Sequence, residues 1–347
     1  MSGHSPAYYG ADAVRRVLTW PLVNAAVESA LKAVVKDQGS AGSPFAIQPN
    51  RIFTNCGDRS QVLLTMPAFV GNYSLGLKED AASSRSTLAC KLVTSFSGNP
   101  QRQPPLPSVQ AHVLLFNNQT GELSAIMEGT DLTTWRTAAA SVLATKYLYF
   151  RRFGSQAEVE RDINVAVVGC GVQGQIHAAG FCANFRVKQL TLYNRTEAKA
   201  RDLAEQLNRE LSSQDLPKIV VCSSSAEACQ DADVICIATY SPDALVHAKD
   251  LRKSSVHINA VGAGEVHFGE VASDVYRQAK VYVDCHANAE AELKGLPAPI
   301  AGELGAVILN ADYPAQSGIS IFQSMGMAAE DACVAQAVQQ AIQQESS

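Results

Sequence analysis

The sequence predicts an α/β protein of two domains, one built on a parallel sheet and the other a mixed α+β unit. Three observations predict it. The chain has 347 residues, more than one ordinary core needs and enough for two. Its first half alternates short β-like runs with turns, whereas strand and helix patterns alternate from Ile163 onward. In that second half, a Gly-x-Gly-x-x-Gly stands between a strand pattern and a helix pattern.

Two helices open the chain. The second begins at Pro21, where a missing N–H costs nothing, and Val23, Val27, Ala30, Leu31 and Val34 follow the helical period. Between Phe45 and Met127 the runs QVLLTMPAFV, TLACKLVTSF, AHVLLFN and LSAIME predict strands, with NNQTG as the hairpin turn between the last two. NPQRQPPLP predicts a surface loop. A helix is expected next, with Asp131 as its N-cap, running through TTWRTAAASVLATKYL.

From Ile163 the runs INVAVV, QLTLY, KIVVC, DVICIAT and HINAVG are rich in β-branched residues and apolar on both faces. Such strands belong to a parallel sheet covered on both sides. KVYVD adds a further strand, and a final helix from Ala328 to Gln343 is expected to return to the first domain. The predicted division is residues 1–138 plus 318–347 for the first domain and 139–317 for the second.

Composition excludes several classes of function. The net charge is −5, with 33 acidic against 28 basic side chains and no basic run, so no nucleic-acid partner is expected. No stretch approaches the roughly 20 apolar residues of a membrane span, so no membrane partner is expected either. The N-terminus lacks an apolar signal core and QQESS is no peroxisomal address, which predicts a cytoplasmic protein. The nine cysteines and seven histidines show no metal-ligand spacing, so reduced thiols and no metal are expected.

The glycine motif is Gly169-x-Gly171-x-x-Gly174, with Val172 and Gln173 inside it. Its glycines permit a tight turn, close approach of a pyrophosphate and close helix–sheet packing, while the helix N-terminus offers N–H groups to phosphate. This is the fingerprint of a Rossmann-type domain. An NAD site would place an acid at the end of the following strand, on the ribose 2′-hydroxyl. Here Tyr193 is followed by Asn194, Arg195 and Thr196. A guanidinium suits a 2′-phosphate, which an acid would repel, and Thr196 can cap the next helix and donate to the same group. The expected cofactor is therefore NADPH (NADP), and the candidate set also includes Thr239 and Val261.

Three cations occupy unusual places in the first half. Lys91 lies inside an apolar strand pattern, where it must be paired or poised. Arg136 lies in a helix of small residues, and Arg51 precedes the run IFTN. Singly each is a surface charge or ion-pair partner. Beside a nicotinamide site they suggest a pocket for a carboxylate-bearing substrate.

MPAF, KLVTSF, VLLF, RTAAAS, GCGVQG, YNRT, HINAVGA and SMGMAAED, in that order over nearly the whole chain, resemble the ornithine cyclodeaminase/mu-crystallin family. The resemblance implies an NADPH-dependent ketimine reductase acting on a small-molecule imine carboxylate, with Lys91, Arg51 and Arg136 as its catalytic substrate-carboxylate residues. It implies a homodimer whose first domain holds substrate and dimerises. Two departures argue against cyclodeamination: Leu64 and Gly264 stand where cyclodeaminases of the family use acids, and that chemistry needs an acidic group. Glu265 and His267 are candidate proton donors or else solvent-facing loop residues. The alternatives are an NADP-dependent amino-acid dehydrogenase of the alanine type and a non-catalytic, NADPH-dependent binder of thyroid-hormone-like ligands.

Overall fold

The computed structural model describes residues 5–35, 42–57, 60–77, 84–211, 217–262, 268–310 and 317–345. The chain forms two compact units, Met1–Arg136 with Gly326–Ser347, and Thr137–Met325. In chain order the first half supplies β1 (Ala7–Tyr9), α1 (Ala11–Val17), α2 (Trp20–Ala33), β2 (Phe45–Ile47) and β3 (Ile52–Asn55). The long strands β4 (Gln61–Tyr73) and β5 (Arg85–Phe96), then β6 (Val109–Phe116), β7 (Leu123–Glu128) and α3 (Thr130–Ala144), follow. The second half begins with α4 (Ala157–Glu160), β8 (Ile163–Val168), α5 (Val172–Asn184), β9 (Val187–Tyr193), α6 (Glu197–Glu210), β10 (Lys218–Val221) and α7 (Ser225–Cys229). It continues through β11 (Val234–Ile237), β12 (Val256–Ala260), α8 (Ser273–Tyr276), β13 (Ala279–Val283), α9 (His286–Glu292), β14 (Ile300–Glu303), α10 (Leu304–Leu309) and β15 (Ile319–Gln323). The last helix is α11 (Ala328–Glu345).

In the first unit the sheet order is β1-β7-β6-β5-β4-β2, with β3 also paired to β4. The pairs among β4, β5, β6 and β7 are antiparallel, and the register sets Met66 opposite Lys91 and Lys91 opposite Val113. Side chains alternate between the two faces of a strand. One face carries Met66, Ala68, Val70, Ala89, Lys91, Ala111, Val113, Leu115, Ala125 and Met127, all buried. The helix α11 packs on this unit, against α2, β4, β5 and β6. The opposite face holds Leu63, Phe69, Leu88, Leu92, Leu114, Phe116 and Ile126, which are only half-buried.

The second unit is built on a parallel sheet of order β10-β9-β8-β11-β12-β15-β13-β14. Alternate residues serve two cores. Val165, Val167, Leu190, Leu192, Val234 and Cys236 lie in one, and Ala166, Val168, Ile235, Ile237, Ile258 and Ile321 lie in the other. Coverage on both sides explains why these strands are apolar throughout.

Two expectations are corrected. The return to the first unit was placed at residue 318, but Ile319–Gln323 forms β15, inserted in parallel between β12 and β13, and the return falls at Gly326. Five residues of backbone N–H and C=O find ladder partners there, which a connecting loop would not supply. Asp131 is not the N-cap of α3: the helix begins one residue earlier, and the Asp131 carboxylate pairs with Arg15 Nε at 2.6 Å. No helix among the described residues is long and apolar enough to cross a membrane.

Candidate active site

The strand β8 ends at Val168, and the chain turns at Gly169 with φ +100°, a conformation that L side chains rarely adopt. A Cβ at Gly169 would lie 2.4 Å from Ala238 O, and one at Gly174 would lie 1.8 Å from Gly169 O. Both positions therefore need glycine for space. Gly171 is the N-cap of α5 and has no side-chain cap. A Cβ there would meet nothing within 4 Å, so it would project into the space in front of the helix N-terminus. Val172 is exposed, whereas the Oε1 of Gln173 is buried without a hydrogen-bond partner.

The loop after β9 is organised by Asn194. Its Oδ1 accepts from the Cys170 amide at 3.0 Å and its Nδ2 donates to Thr196 O at 2.9 Å, which ties the glycine turn to the end of β9. Arg195 is exposed and makes no hydrogen bond or ion pair with the described residues. Thr196 holds the N-cap position of α6, yet its side chain makes no capping bond, so the expected cap is absent and the hydroxyl is left for other donors and acceptors. Thr239 follows β11 and Val261 follows β12, at the same C-terminal edge of the sheet. Val261 is partly buried against the core.

A dinucleotide fits this set. Gly171 keeps the space before the α5 N-terminus clear of a side chain, Gln173 presents an unpartnered buried oxygen, and the end of β9 offers a guanidinium. The helix itself is pinned by His177, whose Nδ1 lies 2.7 Å from Gln173 O and whose Nε2 lies 3.0 Å from Ser141 Oγ. Burial pushes the His177 pKa down to about 4, so the ring is neutral, donating to the carbonyl and accepting from the serine.

The second site lies wholly within the first unit. Lys91, 2% exposed, sits on the buried face of β5, and its Nζ is 2.6 Å from Asp331 Oδ2 on α11. Arg136 on α3 donates from Nε to Asp331 Oδ1 at 3.2 Å and from a terminal nitrogen to Glu330 Oε2 at 3.0 Å. Arg51 donates to Gly326 O at 2.8 Å. Gly326 has φ +74°, and a Cβ added to it would lie 2.3 Å from an Arg136 terminal nitrogen, so both arginines meet at this residue. Gln48 Oε1 accepts from the Ala329 amide at 3.0 Å, which anchors the start of α11.

The structure thus brings Lys91, Arg51 and Arg136 together around Gly326–Asp331. It also changes one expectation: the anion beside buried Lys91 is Asp331, an internal carboxylate. Glu330 and Asp331 were not singled out from sequence. The available signal was the pair of adjacent acids followed by the small and apolar run ACVA at the start of the last helix, since buried charges must be paired. Burial lowers the Lys91 pKa to about 8, opposed by the Asp331 charge and reinforced by Arg136. Leu64 lies on β4 opposite Phe53 and Val93, an apolar setting for the position where cyclodeaminases carry an acid. Gly264, Glu265 and His267 lie outside the described residues.

The rat ketimine reductase mu-crystallin is 32% identical over 340 residues, covering 96% of each chain. A Delta(1)-pyrroline-2-carboxylate reductase of Bacillus cereus is 30% identical over 267 residues, 73% of this chain and 77% of that one. An archaeal alanine dehydrogenase dimer solved with bound NAD shares the fold, with TM-score 0.78 and 23% identity over 99% of this chain and 97% of that one. The pattern of the ornithine cyclodeaminase/mu-crystallin family matches residues 22–346, and the chain belongs to that family.

Proposed function

We propose that this chain is an NADPH-dependent ketimine reductase, an oxidoreductase that reduces the C=N bond of a small cyclic ketimine carboxylate. The observation that carries the proposal is the convergence of three cationic side chains around Gly326. Lys91 pairs with Asp331, Arg136 reaches both Asp331 and Glu330, and Arg51 donates to the Gly326 carbonyl. A substrate carboxylate is the ligand that such a convergence of charged donors suits. The rat mu-crystallin and the Bacillus cereus relative are both named as reductases, of a ketimine and of a pyrroline carboxylate, which supports the same class of chemistry.

In this proposal Arg51 and Arg136 bind the carboxylate through charge-assisted hydrogen bonds. Lys91 contributes a third donor and holds a proton at Nζ that an imine nitrogen can share. Asp331 and Glu330 hold Lys91 and Arg136 in place, so that little reorganisation accompanies binding. Bound NADPH supplies the hydride. The preference for NADPH over NADH rests on Arg195, since the end of β9 presents a guanidinium and no acid.

The first unit is assigned substrate binding and dimerisation, and the second NADP binding. The half-buried apolar face of Leu63, Phe69, Leu88, Leu92, Leu114, Phe116 and Ile126 supports a homodimer, because a contiguous apolar sheet face of this kind is suited to cover by a second copy. A cytoplasmic location is supported by nine free cysteines, most of them buried, which suits a reducing compartment. The test is an NADPH-oxidation assay over a panel of five- and six-membered ketimine carboxylates, run with NADPH and NADH in parallel. Turnover faster with NADPH is expected; no oxidation of either cofactor with any ketimine would overturn the proposal.

A further inference from the structure

The Glu270 carboxyl is buried, with 4% of the residue exposed, yet it has no part in the arrangement above. Its Oε1 accepts from the Thr239 amide at 3.0 Å and from the Thr239 hydroxyl. That hydroxyl in turn accepts from the Ser241 amide at 3.0 Å. On its other side the carboxylate occupies the place of a missing side chain: a Cβ at Gly262 would lie 1.4 Å from Glu270 Oε2 and 2.2 Å from its Cδ. Gly262 is therefore glycine because Glu270 fills its side-chain space. The backbone of Glu270 is also held, its carbonyl accepting from Leu245 and Val246 at 2.8 and 3.3 Å.

These contacts join three strand ends. Thr239 follows β11 and Gly262 follows β12. The Gly169 turn after β8 packs on Thr239 so closely that a Cβ there would lie 2.6 Å from Thr239 Cγ2. In an open parallel sheet the ligand binds outside the carboxyl ends of the strands, across the point where the strand order reverses. Here the order β10-β9-β8-β11-β12 reverses between β8 and β11. The adenosine half belongs on the β8–β9 side, where Asn194 and Arg195 lie. The nicotinamide half then belongs on the β11–β12 side, where Glu270 joins the two loops.

We infer that Glu270 is a positioning residue for the nicotinamide half of the cofactor, acting through Thr239 and Gly262. Its carboxylate locks the turn after β11 to the glycine after β12, and so fixes the backbone edge against which that half of the dinucleotide rests. Burial raises the Glu270 pKa, while the Thr239 hydroxyl and amide oppose that rise, so the same two donors both orient the group and favour its charge. The inference rests on the dinucleotide-binding part of the proposed function and not on its imine chemistry.

The test compares whole and half ligands on the full chain. Binding of NADPH and of 2′,5′-ADP, which lacks the nicotinamide half, is measured by calorimetry for wild type and Glu270→Ala, with NADH and ADP as a second matched pair. NADPH affinity is expected to fall at least tenfold while 2′,5′-ADP affinity stays within twofold. Thr239→Val, which removes the hydroxyl donor and leaves the carboxyl in place, should show the same selective loss to a smaller degree and serves if Glu270→Ala does not fold. Equal losses for whole and half ligands, or no loss for either, would overturn the inference. A wild type that binds NADPH but reduces no ketimine would overturn the reductase proposal and leave this one standing.

Discussion

Lys91 and Asp331 form an ion pair of 2.6 Å between strand and helix, 2% and 1% exposed at their side chains. Neither charge could be buried alone, because an isolated ion in a low-dielectric interior costs several kcal/mol even after relaxation. The pair therefore belongs to the fold as well as to the site. Lys91→Met should lower stability by less than the ~3 kcal/mol of a fully broken buried pair, since Arg136 still contacts Asp331 and the site already disfavours the ammonium. If Lys91 also serves the substrate, kcat/KM for ketimine reduction should fall by at least ~100-fold, about 2.7 kcal/mol by rate arithmetic. Denaturant unfolding and steady-state kinetics measure the two losses separately. A variant with the stability loss but near wild-type kcat/KM would make Lys91 a structural ion-pair partner.

The pH dependence of the same lysine gives two opposite signs. Burial brings its pKa to about 8, below the 10.5 of the free side chain. The ammonium that the proposed reaction uses is present at pH 7 and lost as pH rises through about 8, so kcat/KM should fall on the alkaline side. Stability moves the other way. A depressed lysine pKa penalises the folded state while the group is charged, and the penalty disappears as pH rises from about 8 to 10.5. Asp331→Asn removes the charge that opposes the depression, so the alkaline limb of the rate profile should move to lower pH. An alkaline limb at the same pH in that variant would assign it to another group.

Much of the second unit was legible in sequence because parallel strands covered on both faces leave apolar runs that few other structures produce. The glycines at 169 and 174 were legible because each answers to a local steric demand, and Gly171 because it completes their spacing while leaving the space before the α5 N-terminus open. The role of ISIFQ as β15 was not legible: five residues at a chain return carry no sign of the strands they will lie between. Nor were Glu330 and Asp331. Acids in the first turn of a helix ordinarily complement its dipole at the surface. Only the register of β5 beneath α11, a contact between residues 240 positions apart for Lys91 and Asp331, shows them to be counter-ions of the candidate site.

Cofactor choice should follow Arg195. Because this guanidinium is exposed and engaged by no described residue, its replacement should leave the fold intact. Arg195→Asp places a carboxylate where a 2′-phosphate would lie and should raise KM for NADPH by roughly 100-fold, two like charges being repelled where two opposite ones were paired. KM for NADH should change by less than about threefold or improve, since a carboxylate accepts from a 2′-hydroxyl. Equal losses with both cofactors would remove Arg195 from the 2′-phosphate site.

Gly326 offers a test of whether the two arginines act as one subsite. Its φ of +74° costs a non-glycine residue about 1 kcal/mol or more, and its carbonyl accepts from Arg51 at 2.8 Å. The space for a side chain is already taken, because the added Cβ would lie 2.3, 2.8 and 2.9 Å from three atoms of the Arg136 guanidinium. A guanidinium at the end of a flexible chain could ordinarily shift. Here it is tethered to Glu330 and Asp331 on α11, so Gly326→Ala must move either the arginine or the backbone that receives Arg51. Both movements disturb the proposed carboxylate grip while leaving the glycine turn at Gly169 untouched. KM for a ketimine carboxylate should therefore rise about tenfold, some 1.4 kcal/mol, with NADPH affinity measured by fluorescence unchanged. A thermal midpoint lowered by a few degrees should accompany it. If the midpoint falls and KM for the imine does not move, the substrate carboxylate is held elsewhere and the cluster around Gly326 serves the fold alone.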